Sequence, residues 1–518
     1  MRATLATKIR NRDWMERCLP PPVFGAFPEF LTGLSDDSRC VEEGYLFIVR
    51  TGAELNLDHL DEAIRRRVSL LLAPQAHLAA ICRRLGELGS SVPLCVVGNI
   101  REATGVVASS WWENPSRQLD VVGVTGTNGK TTSSFLTRNI LESSGHRTGL
   151  IGTVWFDLGN GIIEAPQTTP GPLFLQESFF RAMENGLSGV SMEVSSHALD
   201  QDRVSGTAFR VVHFTNLTRD HMDYHKSFED YFRAKSRLIL WNNPDGTVPV
   251  AVVNGDDPYG KILIGRIRAE GRPFISYGHD NSLDIHPLQK EVSLDGIRGW
   301  VETRKGRVRV ESTLPGEFNL QNIMGAIGCA LALGLPLGRI EEGIQSLAGV
   351  PGRFERVNPG GDFAVIVDYA HTDDALQNIL SSLREVTTGR IITVFGCGGD
   401  RDRGKRPRMG KVAGLLSDIV VVTSDNPRTE DPEFILDEIE PGIRESGREF
   451  IREADRREAI GRAIGLAKPG DAVLIAGKGH ESYQVLGKTK TSFDDREVAR
   501  EWLRNTDSRK IVRRDFPA

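Results

Sequence analysis

What this 518-residue chain lacks narrows its class before any motif does. No apolar run approaches the length of a bilayer-spanning helix, so no membrane span is expected. The opening segment MRATLATKIR has too little apolar sequence for the core of a secretory signal. Net charge is only −5, which gives no ground for a nucleic-acid or membrane partner. Cysteine is scarce and scattered: Cys18, Cys40, Cys82, Cys95, Cys329 and Cys397 form no C-x-x-C pair. That excludes a cysteine-built zinc site or disulfide frame and reads as buried free thiols in a reducing compartment. No internal repeat or low-complexity segment stands out. What remains, with 39% hydrophobic residues, 26% charged residues and 54 glycines, describes an ordinary α/β protein. It is too long for one core, so three domains are expected, in a cytoplasmic protein that we expect to be a monomer.

The stretch V121-V-G-V-T-G-T-N-G-K-T-T132 is the densest local signal. An apolar strand meets a glycine-bearing loop, and a helix-like segment, Ser133–Ser144, follows at once. Strand, glycine loop and helix in that order aim backbone N–H groups and a helix N-terminus at a phosphate. Lys130 can neutralise a β- or γ-phosphate, and the Thr131 hydroxyl can hold magnesium. The strict eight-residue P-loop pattern fails at one position, because Val124 stands where its first glycine belongs. A plain strand-to-helix turn would not need Lys-Thr-Thr at the helix start, so nucleotide binding is the better reading.

Around this loop the chain reads as α/β. Residues 1–117 form a small domain with strands near Ser69–Leu72 and Pro93–Val97, and W112-E-N-P-S-R-Q118 reads as the linker out of it. In 118–349, one strand ends at Glu193 and another runs into Asp220, His221, Asp223 and His225. Open α/β sheets bind ligands beyond the carboxyl ends of their strands, which makes Glu193 and His221 candidates for divalent-metal contacts. His213 lies inside an apolar run and reads as a core histidine. His221 and His225 have no third soft ligand at a zinc-like spacing. Asn319 and Asn322 share a face of a helix, where capping or packing is as good a reading as adenine recognition.

From 350 to 518 strand-like runs alternate with helical segments: Ala364–Asp368, Ile391–Phe395, Ile419–Thr423, Phe450–Glu453 and Ala472–Ile475. This predicts a doubly wound parallel sheet. The loops after these strands carry D368-Y-A-H-T-D-D374, G396-C-G-G-D-R-D-R-G-K-R406, S424-D-N-P-R-T-E-D431 and G477-K-G-H-E481. The cations from Arg401 to Lys411 are interleaved with glycines and aspartates and lack aromatic companions, which favours a carboxylate or phosphate site over a nucleic-acid patch. Asp425 and Arg428 flank Asn426-Pro427, and such a pair could grip the ammonium and carboxylate of an amino-acid end. An Asx turn with a surface arginine explains the same residues equally well. A phosphate loop together with this acid- and arginine-rich domain suits ATP-driven joining of two small charged molecules.

The motifs G-V-T-G-T-N-G-K-T-T, M-E-V-S-S-H-A-L-x-Q-x-R-V, N-L-x-R-D-H-M-D-Y-H, V-P-G-R-F-E-R, D-Y-A-H-T, G-C-G-G-D-R-D-x-G-K-R-P, D-N-P-R and G-K-G-H-E-x-Y-Q occur in one order. Over about 34–496 they resemble the Mur ligases of peptidoglycan synthesis, most closely the members that add the third residue to a UDP-N-acetylmuramoyl dipeptide. The resemblance implies a three-domain α/β fold: a small N-terminal UDP-sugar-binding domain (1–117), a central P-loop ATPase-like domain (118–349) and a C-terminal Rossmann-like domain taking the amino acid (350–518). It also implies roles. Gly126, Thr127, Asn128, Gly129, Lys130, Thr131 and Thr132 would hold the ATP phosphates, and Asn322, Arg353 and Asp368 would contact the nucleotide. Magnesium would be held by Thr131, Glu193, His221 and Lys235, the last matching a lysine that the family carbamylates. Lys130, Glu193, His221 and Lys235 would thus serve the chemistry.

Ser38, Gln167, Thr168, Thr169, Ser195, Gln201 and Arg203 match contacts to the UDP-muramoyl dipeptide. Arg401, Asp425, Asn426, Pro427, Arg428, Gly477 and Glu481 match the pocket for the incoming amino acid. In the family D-N-P-R accompanies meso-diaminopimelate, whose distal end bears a carboxylate that lysine lacks. The implied reaction turns the D-glutamyl carboxylate into an acyl phosphate at the expense of ATP, and the amine then displaces phosphate. The same ligase type using L-lysine or another amine, or a paralogue with a modified acceptor, is the alternative. A folylpolyglutamate synthase should lack D-N-P-R and G-C-G-G-D-R, and a nucleotide switch would not need Glu193, His221 and Lys235. The chain departs from the family at A53-E-L-N-L-D-H-L60, which lacks the usual Asp-Gly, and at Gln167, where asparagine is common.

Overall fold

The computed structural model describes residues 8–50, 55–358 and 360–514, with side chains up to 504. The start of the divergent stretch Ala53–Leu60, and most of the N-terminal segment judged too polar for a signal, lie outside these residues. The α/β class expected from the sequence holds in the N-terminal, central and C-terminal regions alike. By compactness the chain divides into two units. The first comprises Met1–Gly123, His146–Val212 and Leu240–Pro249; the second comprises Val124–Gly145, His213–Ile239 and Val250–Ala518.

The first unit opens with a four-stranded parallel sheet in the order Gly33–Ser35, Tyr45–Ile48, Leu70–Pro74, Leu94–Val97. Side chains alternate across it as the pleat requires. Leu46, Ile48, Leu70, Leu72 and Cys95 face Trp14, Val107 and Trp111, while Phe47, Leu71, Ala73 and Leu94 face Leu60, Ile81 and Leu85. Further along, Gly189–Glu193 runs parallel to Thr148–Ile151, and the ribbon Trp155–Asp157/Ile162–Glu164 continues that sheet antiparallel.

Two sequence readings need correction here. The stretch Trp112–Gln118 is packed rather than a free linker: Trp112 stacks on Phe180 at 4.9 Å, and the buried Ser116 hydroxyl accepts the Ala208 N–H at 3.0 Å. The thiols also divide. Cys95, Cys329 and Cys397 are buried, but Cys40 and Cys82 are exposed and Cys18 is half-buried. Cys82 faces outward because the helix Leu78–Glu87 turns Ile81 and Leu85 to the core.

In the second unit, Val250–Asn254, Phe274–Tyr277 and Ile285–Ser293 run parallel, and two antiparallel strands, Gly296–Thr303 and Gly306–Ser312, complete that edge. His213 is fully buried against the Tyr277 hydroxyl at 2.9 Å, and burial pushes its pKa down to about 3, as a core histidine requires. The C-terminal sheet has the order Glu355–Arg356, Ala364–Asp368, Ala472–Ala476, Ile391–Phe395, Ile419–Val422, Phe450–Arg452. All pairs are parallel except the short first strand, which the sequence reading did not include. Both faces are covered: Ala364, Ile366 and Phe395 lie in one core, and Val365, Val367 and Val394 in the other. That is why these strands read as continuous apolar runs rather than alternating ones. Parallel pairing brings the carboxyl ends of four strands to one edge, and with them the loops 368–374, 396–406, 424–431 and 477–481.

Candidate functional site

The glycine loop leaves the strand Asp120–Thr125 and enters the helix Lys130–Ser143, which starts three residues earlier than the sequence suggests because Gly129 caps it. Gly126 has φ +150°, and a Cβ there would meet Thr215 Oγ1 at 1.8 Å, so only glycine lets the loop pass this close to Thr215. The loop is tied on several sides within the second unit. Thr127 N–H donates to the Asn216 carbonyl at 2.9 Å, Asn128 N–H to Asn216 Oδ1 at 2.9 Å, and Thr215 Oγ1 to the Asn128 carbonyl at 2.6 Å. The Thr127 hydroxyl meets Tyr231 Oη at 3.0 Å and the Thr218 carbonyl at 3.1 Å. Asn128 Nδ2 donates to Asp374 Oδ2 at 2.7 Å, which also accepts from Thr218 Oγ1 at 2.8 Å. Lys130 Nζ donates to the carbonyls of Gly126 and Thr127 at 3.0 and 2.7 Å, so its ammonium lies over the loop.

Thr131 and Thr132 are buried on the first helical turn, and Thr131 Oγ1 accepts from Arg353 Nη2 at 2.9 Å. Arg353 also lies over the Tyr369 ring at 4.6 Å. Asp368 holds this segment in place: its oxygens accept the N–H groups of Phe354 and Ala370, each at 2.7 Å. Burial pushes the Asp368 carboxyl up despite Arg353. Asn322 is buried, bonded through Nδ2 to Asn319 at 3.0 Å, and approached by Ser133 Oγ at 3.4 Å. The helix residue that could equally have been packing thus stands at the start of the phosphate-loop helix.

Lys235 is fully buried and donates to the Gly126 carbonyl at 2.6 Å. Burial first, then the charge of Lys130, holds its amine well below the usual lysine range, against the pull of Asp220. An amine kept short of protonation retains the lone pair that carbamate formation with carbon dioxide requires. His221 sits at φ +56°, a strained backbone for a non-glycine residue, with its N–H on Asp220 Oδ1 at 2.8 Å. Burial raises Asp220, but His221, His371 and Lys130 together outweigh it and hold the carboxyl below its ordinary value. His371 is lowered by burial and by Lys405, whose Nζ donates to the His371 carbonyl at 2.8 Å.

In the first unit, Glu193 is buried at its strand end. Thr153 donates to it twice, N–H to Oε1 at 2.8 Å and hydroxyl to Oε2 at 3.0 Å. Thr153 also meets Thr168 Oγ1 at 3.1 Å, and Thr169 Oγ1 donates to the Glu193 carbonyl at 2.9 Å. Ser195 caps the short helix Ser196–Asp200, and its N–H donates to Thr169 Oγ1 at 3.0 Å. Arg203 gathers the neighbouring polar groups, donating to Gln167 Oε1 at 2.7 Å, the Thr169 carbonyl at 3.0 Å and Gln201 Oε1 at 2.7 Å. Six of the seven residues matched to the dipeptide are therefore joined in one network. Ser38 stands apart from it, buried in a turn where its hydroxyl donates to Glu62 at 3.0 Å and meets His59 at 3.4 Å.

The C-terminal loops meet in a second cluster. Asn426 Nδ2 donates to Glu481 Oε2 at 2.9 Å, and Lys478 Nζ reaches Asn426 Oδ1 and Glu481 Oε2, each at 3.2 Å. Gly477 N–H donates to the Asp368 carbonyl at 3.0 Å, and the Pro427 carbonyl accepts the Glu430 N–H at 3.1 Å. Burial, aided by Asp425 and opposed by Lys478, pushes the Glu481 carboxyl up. Arg428 lies at φ +53°, held by its N–H on Val485 and by Gly487 N–H on its carbonyl, at 3.0 and 2.7 Å. Its guanidinium donates to the Gly399 carbonyl at 2.7 Å. Gly399 must be glycine, since a Cβ there would meet the Pro427 carbonyl at 1.9 Å. Behind the cluster, the fully buried Arg456 and Asp495 pair at 2.7 Å, and Arg456 also donates to the carbonyls of Ser424 and Ala476. Asp425, Asn426, Arg428, Gly477 and Glu481 are thus brought together, whereas Arg401 is exposed on the neighbouring loop.

The reading from sequence missed Thr153, Asn216, Thr218, Asp374 and Lys478. Asn216, Asp374 and Lys478 lie in segments singled out there, N-L-x-R-D-H-M-D-Y-H, 368–374 and G-K-G-H-E, so their place in a motif was the available signal; Thr153 and Thr218 carry none beyond lying after a strand end.

A strand–glycine-loop–helix element, a buried depressed lysine and an ionic cluster at the C-terminal strand ends are the parts an ATP-using ligase calls for, and comparison with known proteins agrees. Residues 124–330 match the Mur ligase middle domain and 352–479 the Mur ligase, glutamate ligase domain. The chain belongs to the Mur ligase family. It is 42% identical over 507 residues to the UDP-N-acetylmuramoyl-L-alanyl-D-glutamate--2,6-diaminopimelate ligase of Geobacter metallireducens, covering 94% of this chain and 97% of that one. To the protein of the same name from Gloeobacter violaceus it is 45% identical over 481 residues, covering 92% and 95%. A solved structure of a ligase of that name superposes with a TM-score of 0.67 at 34% identity, covering 92% of this chain and 96% of that chain.

Proposed function

We propose that this chain is an ATP-dependent amide ligase that adds meso-diaminopimelate to the D-glutamyl residue of UDP-N-acetylmuramoyl-L-alanyl-D-glutamate, with release of ADP and phosphate. The observation that carries the reading is the C-terminal cluster. The buried carboxylate of Asp425 and the half-buried one of Glu481 stand with Asn426 beside a guanidinium, Arg428, whose fork is only partly used by the Gly399 and Asn426 carbonyls. Such a set suits an end that carries both an ammonium and a carboxylate, because arginine bonds carboxylates bidentately.

A carboxylate is a poor electrophile, and phosphorylation supplies its leaving group. The loop Gly126–Thr132 would hold the ATP phosphates through backbone N–H groups, with Lys130 leaving its own loop carbonyls to neutralise the transferred phosphoryl group. Asn322, Arg353 and Asp368 would shape the nucleotide site. The network of Gln167, Thr168, Thr169, Ser195, Gln201 and Arg203 would orient the dipeptide, with Ser38 serving the uridine end. Asp425 and Glu481 would orient the incoming amine for attack on the acyl phosphate, and Arg428 would fix its distal carboxylate.

By their chemistry Thr131, His221 and a carbamate on Lys235 in the second unit suit magnesium, and so does the Glu193 carboxylate in the first. Among the described residues no three His, Cys, Asp or Glu side chains converge as a metal cage, and magnesium ordinarily takes few protein ligands beside substrate phosphates. When bound, it would offset the charge of the phosphates. We place domain boundaries at 117/118 and 349/350. Among the described residues no helix is long and apolar enough to cross a membrane, in keeping with small-molecule substrates.

The test is phosphate release from ATP with the UDP-muramoyl dipeptide and, in turn, meso-diaminopimelate, L-lysine and L-ornithine. Release with diaminopimelate is expected; equal or greater release with lysine would transfer the assignment to the alternative amine, and release with none would refute the reading.

A further inference from the structure

One wholly buried cation in the C-terminal cluster has no part in the reading above. Lys478 reaches Asn426 Oδ1 and Glu481 Oε2, each at 3.2 Å, and lies 3.7 Å from Asp425 Oδ1. Asn426 Oδ1 also accepts the Val485 N–H at 2.9 Å, and Gln484 Nε2 donates to the Asp425 carbonyl at 2.6 Å, so backbone and side chains fix the group from both sides. Lys478 is wholly buried, so solvent screens the pull of its charge on Asp425 and Glu481 less than it would at the surface.

The charges can be summed from the geometry. Asp425 and Glu481 contribute two negative charges; Lys478 and Arg428 contribute two positive ones. The neighbouring Arg456 is cancelled by Asp495, with both side chains at 0% exposure, and Arg401 is exposed to solvent. The pocket therefore sums to zero. We propose that Lys478 is a specificity-determining residue: by balancing one of the two carboxylates it fits the pocket to a zwitterionic amino-acid end and against a side chain that carries only an ammonium. This rests on the reading that these loops receive the incoming amino acid.

The distal end of diaminopimelate carries an ammonium and a carboxylate and brings no net charge. The end of lysine brings one positive charge, and a neutral pocket returns no net attraction for its desolvation. Removing Lys478 leaves the pocket with one excess negative charge, which an ammonium then satisfies. Arg428 supplies the attraction for the carboxylate; Lys478 supplies the balance that prevents Asp425 and Glu481 from favouring a lone cation.

The experiment measures kcat/KM for meso-diaminopimelate and for L-lysine in the intact enzyme at alkaline pH, where Glu481 stays ionised. In Lys478→Met the ratio of the two falls by about tenfold or more, the order expected for a unit charge at this range in a partly screened site. Lys478→Arg keeps the ratio within about threefold of wild type, because it keeps the charge. The double variant Lys478→Met/Glu481→Gln returns the ratio toward wild type, since the net charge is again zero. A Lys478→Met enzyme that loses both amines in equal proportion would mean that the residue only supports the fold, and would overturn the proposal. Should that variant show no cooperative melting, Glu481→Gln is compared with the double variant, which leaves no charge of this pair unpaired. Adding Lys478→Met must then lower the ratio, and an unchanged ratio overturns the proposal. A wild-type enzyme that releases phosphate with neither amine would instead refute the assignment of the site.

Discussion

Replacing Arg428 by alanine tests the assigned amine at its most exposed point. The guanidinium donates through Nη1 to the Gly399 carbonyl at 2.7 Å and the Asn426 carbonyl at 3.5 Å, and keeps its other N–H groups for a carboxylate. A hydrogen bond to a charged group contributes about 1.5–3 kcal/mol, so losing the substrate contact should lower kcat/KM for meso-diaminopimelate by roughly 10- to 150-fold. L-lysine has no carboxylate there, so it loses no charged hydrogen bond, and because the variant leaves the pocket with one excess negative charge its kcat/KM should hold or rise rather than fall. The backbone makes a second comparison useful. Arg428 sits at φ +53°, where alanine is also strained, so Arg428→Gly separates lost backbone strain from lost guanidinium. Both variants should lose diaminopimelate to a similar extent, while the glycine form should melt at the higher temperature. Arg428→Lys should fall between them and wild type, because one ammonium cannot copy the planar fork. The assay is coupled phosphate release at saturating ATP and dipeptide. Unchanged diaminopimelate kinetics in Arg428→Ala would refute the reasoning.

Gly126→Ala should abolish the nucleotide-induced rise in melting temperature, because its Cβ would meet Thr215 Oγ1 at 1.8 Å; a wild-type thermal shift with ATP would show that the loop yields. Breaking the fully buried Arg456–Asp495 pair with Asp495→Asn should cost about 3–5 kcal/mol in chemical unfolding, and pairing it with Arg456→Met should recover much of that loss. His213 has a folded pKa of about 3 against an ordinary value of 6.5, so the unfolded chain binds the extra proton between these limits. Its contribution is therefore complete above about pH 6.5 and is lost as pH falls toward 3, at roughly 1.4 kcal/mol per pH unit. His213→Gln should flatten the acid limb of the stability curve, and an unaltered limb would contradict the burial argument.

Much of this protein was legible in the linear chain, for reasons that differ between regions. The C-terminal strands could be placed almost to the residue because a doubly covered parallel sheet demands unbroken apolar runs, such as Ala364–Asp368 and Ile391–Phe395. The strand–loop–helix junction at 125–130 was legible because an apolar run, closely spaced glycines and a helix-like segment follow one another directly. The burial of Cys40 and Cys82 was misread, since a thiol says little about which side of a helix or turn it occupies. The packed segment Trp112–Gln118 was misread because its polar groups, Ser116 among them, are satisfied by partners distant in sequence.

By itself the sequence determined the α/β class, the glycine loop between a strand and a helix, and the motif loops that give the chain its family. Local chemistry suffices for these, since propensity, periodicity and residue spacing act over a few neighbours. The tertiary structure decided how the loop residues are used. Lys235 becomes a depressed amine only because the fold buries it beside Lys130 and Gly126. Asp425, Asn426 and Glu481 become one charged set only because parallel strands far apart in sequence end on the same edge. Lys478 counts in that set because desolvation there makes each unit of charge matter.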